Sequence, residues 1–413
     1  MVKRRCNYLI LILYPVFFYV TFIDRGTIRS NVMLALIYFL LLISTVVTMV
    51  SNSITIKINH FIMLYLSFAL FNLSSLLWAT DFRLSLYASI KIMSFAVLFI
   101  VLYSYFISIG LTEYFLWSYI AISFMMFIHV VALLGIERIG DFSRRITAIP
   151  INANDIGMCA SFAFLCCIYL FLNHKTVLPI VLSLPLLILS FLSGSRKAIL
   201  ILVLGTVAYI LYHIHCTSKL HIKLFNFLTA SAVIILLLLA LNTYSGGIAN
   251  SDIVTRFISM LNYFTGDGNT DGSTLLRMRF IEVGMDMFRE NPLVGVGANN
   301  AIMFNGGLYL HNNFIEILAN VGLIGFILYY SLYVVAFRKL WPHIKNKNTL
   351  AGFVSIALIL QLILDYGYVS YNLFFTISKF LFIMCVADGN HIRARSSEGN
   401  PLYVYTALAD VKD

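Results

Sequence analysis

His311 is the side chain in this sequence best suited to moving a proton, because an imidazole titrates near neutral pH and can accept one from an attacking hydroxyl. It opens the segment 311–325 (HNNFIEILANVGLIG), in which Glu316 stands about one turn in, on the side of Asn312 and Asn313. From there Glu316 can orient the histidine or pair with an arginine. Ile315, Leu318, Gly322 and Gly325 share one helical stripe, and the glycines are expected to let a second helix pack closely and hold the histidine still. A second segment, 277–297 (RMRFIEVGMDMFRENPLVGVG), begins with Arg277 on a face shared with Phe280, Ile281, Gly284 and Phe288. A guanidinium over such a face projects from a fixed apolar platform, and Gly295-x-Gly297 suits a tight turn or an anion nest. A third segment, 193–197 (SGSRK), combines small residues with Arg196 and Lys197 at the end of an apolar run. Arginine presents a rigid fork that suits diphosphate or carboxylate oxygens. Each segment also has a plainer reading: a turn with snorkelling cations, surface ion pairs, a structural histidine.

The elements that must hold these residues are membrane helices. Of the 413 residues 61% are hydrophobic and only 11% charged, against roughly 25% charged in a soluble domain. That balance excludes a disordered chain, a collagen, a coiled coil and an ordinary soluble enzyme. Twelve apolar runs approach the ~20 residues that cross a bilayer as a helix: approximately 7–23, 31–50, 60–78, 87–107, 114–134, 156–173, 177–193, 198–214, 224–242, 313–337, 350–365 and 368–387. Stretches such as SAVIILLLLAL (231–241) are apolar at every position, which speaks against the alternating pattern of a β-barrel. The first run has no small-residue cleavage site and another span follows at once, so it reads as a retained helix. The expectation is an all-α polytopic domain over 1–388 with a long loop, 242–311, between helices nine and ten. An amphipathic helix at about 274–290 is expected within that loop, and a more polar tail over 389–413.

Basic residues orient the chain. With twelve spans, Lys3, Arg4, Arg5, Lys57, Lys175, Lys219, Lys223, Arg338, Lys339, Lys345 and Lys347 share one side with both termini, which makes that side cytoplasmic. Nearly all of the +10 net charge then sits there, as an orientation signal, and it gives no support to nucleic acid as a partner. The opposite face is close to neutral, and eleven of its twelve basic residues are arginine. No cysteine falls in an outward link and no Cys/His spacing matches a zinc site, so neither a disulfide framework nor a metal is expected.

Taken in order, Ser195-Arg196-Lys197 after a span, an Arg277-led helix ending in Asn291-Pro292-Leu293-x-Gly295-x-Gly297, and His311-Asn312-Asn313 leading to Leu318, Gly322 and Gly325 resemble the bacterial O-antigen polymerase and O-antigen ligase family. Pro150-x-Asn152-x-Asn154-Asp155-x-Gly157 is similar to the Asn-rich segment of that family, so the resemblance covers roughly 150–325. It implies an inverting, metal-independent, cofactor-free glycosyltransferase of the GT-C type in the bacterial inner membrane. Such enzymes work on the periplasmic face with an undecaprenyl-diphosphate-linked oligosaccharide. Arg196 and Arg277 match motif positions for the diphosphate, with Lys197 and Arg279 beside them, and His311 matches the general base. Arg144, Arg145 and Asp155 are added from position, and Glu316 and Asn312 as supporting residues. The Ser-Arg-Lys and His-Asn-Asn-Phe-Ile-Glu versions look like a polymerase, which joins a chain to another lipid-linked repeat unit; the alternative is a ligase acting on lipid A-core. The resemblance also implies membrane lipids and a separate chain-length regulator as partners. A transporter of the same lipids would need charges along its spans or two similar halves, and only Lys91 and Lys379 lie well inside a run.

Overall fold

The computed structural model describes residues 6–22, 28–135, 152–217 and 272–389. Among them every regular element is helical and no strand occurs. In chain order the helices are α1 (Tyr8–Val20), α2 (Ile28–Ser51), α3 (His60–Ser74), α4 (Phe82–Ile109), α5 (Tyr114–Leu134), α6 (Ala153–His174) and α7 (Leu178–Leu192). There follow α8 (Arg196–Cys216, with a π-helical turn at Ile201–Gly205), α9 (Gly272–Glu290), the short α10 (Ala301–Phe304), α11 (Asn313–Lys345), α12 (Thr349–Asp365) and α13 (Phe374–Asp388). Eleven of the twelve apolar runs coincide with helices, and 224–242 lies outside the described residues. Among the described residues seven helices are long and apolar enough to cross a membrane: α2 from Asn31, α3 with its following turn, α4, α5, α6, α8 and α11. α1, α7 and α12 are shorter apolar helices, and the whole is a multi-pass membrane protein.

Hydrophobicity alone marks these helices poorly at their ends, since both the lipid face and the core are apolar. Capping side chains mark them instead. Asn7, Asn59, Asp81, Asn152, Asn312 and Asn348 each accept a backbone N–H from the first turn of the helix they precede. Asp81 explains why α4 begins five residues before the run read from composition.

α6 is the central post: every residue from Asp155 to Leu170 is buried. Its approach to α7 and α8 is close enough that a Cβ on Gly157 would stand 2.2 Å from Ser193 Oγ and 3.0 Å from Ala198 Cβ. α13 is buried over Phe374–Ala387, whereas α2 turns Leu36, Phe39, Leu40, Ile43 and Val47 outward as a lipid-facing side would require.

Two expectations are corrected. The last helix starts at Phe374, six residues later than its apolar run, because the N–H groups of Ser370 and Tyr371 donate to Asn313 Oδ1 at 2.9 and 3.1 Å, holding 366–373 as a loop. Gly322 is not a packing glycine on a continuous stripe. It stands at φ 64°, ψ −167°, a conformation essentially reserved for glycine, and breaks α11 in two. The loop 292–297 fills the break. Pro292 and Leu293 carbonyls accept Leu323 and Ile324 N–H at 2.9 and 3.2 Å, while Val296 and Gly297 N–H donate to Ala319 and Asn320 carbonyls at 2.9 Å each. These four backbone groups at the break are therefore paired inside the protein, as interrupted helices at membrane depth require. A Cβ on Gly325 would meet Val321 Cγ2 of its own helix at 2.3 Å, with Phe71 of α3 at an ordinary contact distance of 3.5 Å.

Candidate functional site

The broken helix builds one wall of the site. The side chain of Asn312 caps its first turn, accepting Phe314 and Ile315 N–H at 3.0 and 3.2 Å. His311 precedes the cap with φ 56°, a left-handed conformation that turns its ring back from the helix axis. Glu316, 1% exposed, accepts the N–H of Leu310 through Oε2 at 2.7 Å and the amide of Asn320 through Oε1 at 3.0 Å. Its carboxylate therefore pins the backbone next to His311, and the expected pairing with an arginine does not occur among the described residues. Asn320 also accepts the N–H of Ala301 at 2.8 Å, so one side chain ties α10, the break and Glu316 together.

α9 builds the second wall. Phe280, Gly284 and Met287 are buried on one face, against Leu310, Ile315 and Ala319. A Cβ on Gly284 would stand 2.4 Å from Ile315 Cγ2 and 2.6 Å from Leu310 Cδ1, so the glycine lets the helix sit flat on the start of α11. That contact stacks the Phe280 ring on His311, with centroids 5.8 Å apart and planes 8° apart; Tyr309 lies 4.1 Å away on centroids. Arg277, one turn before Phe280 on the same face, is half-buried. Arg279 is exposed, because two residues turn a helix by about 200°. Gly295-x-Gly297 is not an anion nest: the N–H groups of 295, 296 and 297 donate to the carbonyls of Asn291, Ala319 and Asn320.

The third wall is the start of α8. Ser193 and Ser195 are buried in the turn that precedes it, with Ser195 N–H donating to Ser193 Oγ at 3.2 Å. Arg196 and Lys197 follow, both half-buried, and Lys197 Nζ lies 4.8 Å from the centroid of the Tyr368 ring. Lys197 and Arg277 come near enough to His311 to act on its charge. Burial first, then these two cations, push the imidazole down from its ordinary 6.5 to about 4. Burial and the two nearby positive charges thus favour the neutral imidazole.

Sequence reasoning named Lys197, Arg277 and His311, which the fold gathers, and Arg279, which it turns outward. It named Asp155, which is buried in α6 and accepts the Tyr368 hydroxyl. Arg144 and Arg145 lie outside the described residues. It missed Tyr368, Asn320, and Asp365 with its ring of donors. The Asp365 carboxylate accepts from Ser370 Oγ at 2.6 Å, Tyr333 OH at 3.0 Å, Gln361 Nε2 at 3.0 Å and Asn313 Nδ2 at 3.2 Å. Gln361 in turn accepts from Lys379 Nζ at 2.8 Å, so one of the two lysines inside the spans is a partner in this network. The one signal for it was an acidic residue closing an apolar run just before Tyr366-Gly367-Tyr368.

A helical membrane bundle with His311 at the start of a broken helix, near the cations of Arg277 and Lys197, defines the class: a multi-pass membrane protein with a basic, imidazole-bearing site. Residues 178–330, the segment that holds all three walls, match the family model described as O-Antigen ligase. Asp155 and Tyr368 lie outside the matched residues. No curated protein matches the chain.

Proposed function

We propose that the chain is a polysaccharide polymerase of the GT-C type, with about twelve spans, both termini cytoplasmic and its site on the periplasmic face of a bacterial inner membrane. It transfers an undecaprenyl-diphosphate-linked glycan to a sugar hydroxyl of a second lipid-linked repeat unit. The observation that carries this reading is the placement of His311, stacked on Phe280 at the start of the broken helix, with Arg277 and Lys197 near enough to bear on its charge. Glycosyl transfer from a diphosphate needs both of these things at once. The acceptor oxygen attacks the anomeric carbon as the bond to the phosphate oxygen breaks, inverting that carbon. The hydroxyl proton passes to a ring nitrogen of His311, and the diphosphate leaves with the electron pair toward the two cations. A bound diphosphate also offsets the cations, so the imidazole becomes more basic once the donor is in place. Arg196 adds to the same basic mouth. Membrane lipids surround the bundle, and a separate protein sets chain length.

A ligase, which would take lipid A-core as acceptor, is the second reading, favoured by the description of the matching family model. Purified protein given lipid-linked repeat units isolated from its source strain should build a ladder of longer glycans. His311→Ala should lose about 10²–10⁴-fold while remaining folded; full activity in that variant overturns the assignment. A deletion strain separates the readings: single-repeat lipopolysaccharide marks a lost polymerase, long chains retained on undecaprenyl diphosphate a lost ligase. The imidazole is held at about 4, so it stays neutral as pH falls through 6.5. The acid limb of kcat/KM should accordingly fall well below 6.5, and a limb at 6.5 contradicts the charge environment described.

A further inference from the structure

Tyr368 belongs to none of the three motifs, yet it reaches the site from the loop between α12 and α13. It is 4% exposed, its ring faces the Lys197 ammonium at 4.8 Å, and its hydroxyl donates to the buried Asp155 of α6. The loop is itself anchored, since Asn313 accepts the N–H of Ser370 and Tyr371, and Asp365 accepts the Ser370 hydroxyl. Asn313 lies two residues after His311, so ring and imidazole are fixed to the same helix end. Lysine, by contrast, carries its charge on a flexible four-carbon stem. A π face held still on one side of the ammonium restricts that stem to the rotamers that keep the charge in the site.

We propose that Tyr368 is a positioning residue: its ring pins the Lys197 ammonium beside His311, and Asp155 pins the ring. Among the described residues, the charged and titratable groups around His311 are Tyr309, 4.1 Å away on centroids, Arg277 from α9 and Lys197 from α8, with Asp155 beyond the lysine and Glu316 beyond Leu310. The proposal rests on His311 acting as the base, and the experiment keeps the two apart.

The test is the pH profile of kcat/KM for the full chain in proteoliposomes, with lipid-linked repeat units from the source strain as the probe. Tyr368→Leu and Tyr368→Phe are made in the wild-type and Lys197→Met backgrounds. Tyr368→Leu should cost about tenfold and move the acid limb up toward 6.5, because the released ammonium no longer opposes the imidazolium. Tyr368→Phe keeps the ring and should keep the limb in place with a smaller loss of rate. In the Lys197→Met background Tyr368→Leu should move the limb no further, since residues acting through one contact do not add. An unmoved limb in Tyr368→Leu, or the same shift in both backgrounds, overturns the proposal. Melting temperatures in detergent establish folding; if Tyr368→Leu does not fold, Tyr368→Met, which has no π face, takes its place. An active His311→Ala sinks the reading of the base, whereas an inactive one with an unmoved Tyr368→Leu limb sinks only the pinning.

Discussion

α6 and α11 are both long apolar helices at the centre of the bundle, and they are built in opposite ways. α6 runs unbroken, and its polar side chains turn inward on its own backbone or its neighbour: Ser161 Oγ donates to the Gly157 carbonyl at 2.7 Å and meets Ser190 Oγ at 3.1 Å. α11 is cut at Gly322, and its open backbone groups are taken by a loop from another part of the chain. A continuous helix makes a post. An interrupted one makes a socket, because the loop that closes the gap carries α9 and Arg277 with it and presses Phe280 on His311. The polar side chains of the short half then hold other segments as well as their own helix: Asn313 takes the 366–373 loop, Glu316 the Leu310 N–H and Asn320 the Ala301 N–H. Disturbing α11 near its break should therefore cost activity as well as stability, and disturbing α6 away from the site should cost stability alone.

The largest effect belongs to Gly322→Ala. The new Cβ would lie 2.3 Å from the carbonyl carbon of Leu293, a backbone atom, and the conformation alone costs about 1–3 kcal/mol. Loss of folded protein in detergent is expected; a normal melting temperature would mean the break is not essential. Arg277→Ala should come next, with about 10²-fold lower kcat and an unchanged melting temperature, read from the glycan ladder. Glu316→Gln follows. Its amide nitrogen must face either the Leu310 N–H or the Asn320 amide, costing about 1–3 kcal/mol of stability, and the shifted His311 should lower kcat with little change in KM. On α6, Ser161→Ala should cost about 1 kcal/mol and leave activity per folded molecule intact. A large loss of kcat there would erase the contrast between the two helices. The smallest effect is that of Arg279→Ala, which is exposed and should stay within about 0.5 kcal/mol, or roughly twofold in rate.

Much of this was legible along the chain. The membrane class follows from runs of apolar residues near the length of a bilayer, and the Asn and Asp caps that begin six helices are local signals. His311, Arg277 and Lys197 are named by residue type, spacing and the family resemblance, and the fold brings the two cations near enough to the imidazole to act on its charge. Arg279 was misjudged for want of phase: two positions along a helix reverse the side it faces, and which side is inward depends on where Gly284 meets Ile315. Glu316 reads from the sequence as orienting the site or pairing with an arginine; the structure gives it a backbone N–H six residues back, beside His311, at a turn that a linear pattern does not show. Gly295-x-Gly297 looked like a nest for an anion until a broken helix used its N–H groups.

The sequence by itself determined a helical, multi-pass membrane protein and named the side chains able to do chemistry, because both rest on composition and on spacing within one turn or one span. Only the tertiary structure decided that Gly322 breaks α11, that 292–297 closes the gap, and that Tyr368 reaches Lys197 and, 213 positions back along the chain, Asp155. Those are pairings between distant segments. Whether a glycine breaks a helix, or a phenol finds a carboxylate, depends on a partner whose arrival the local pattern does not encode.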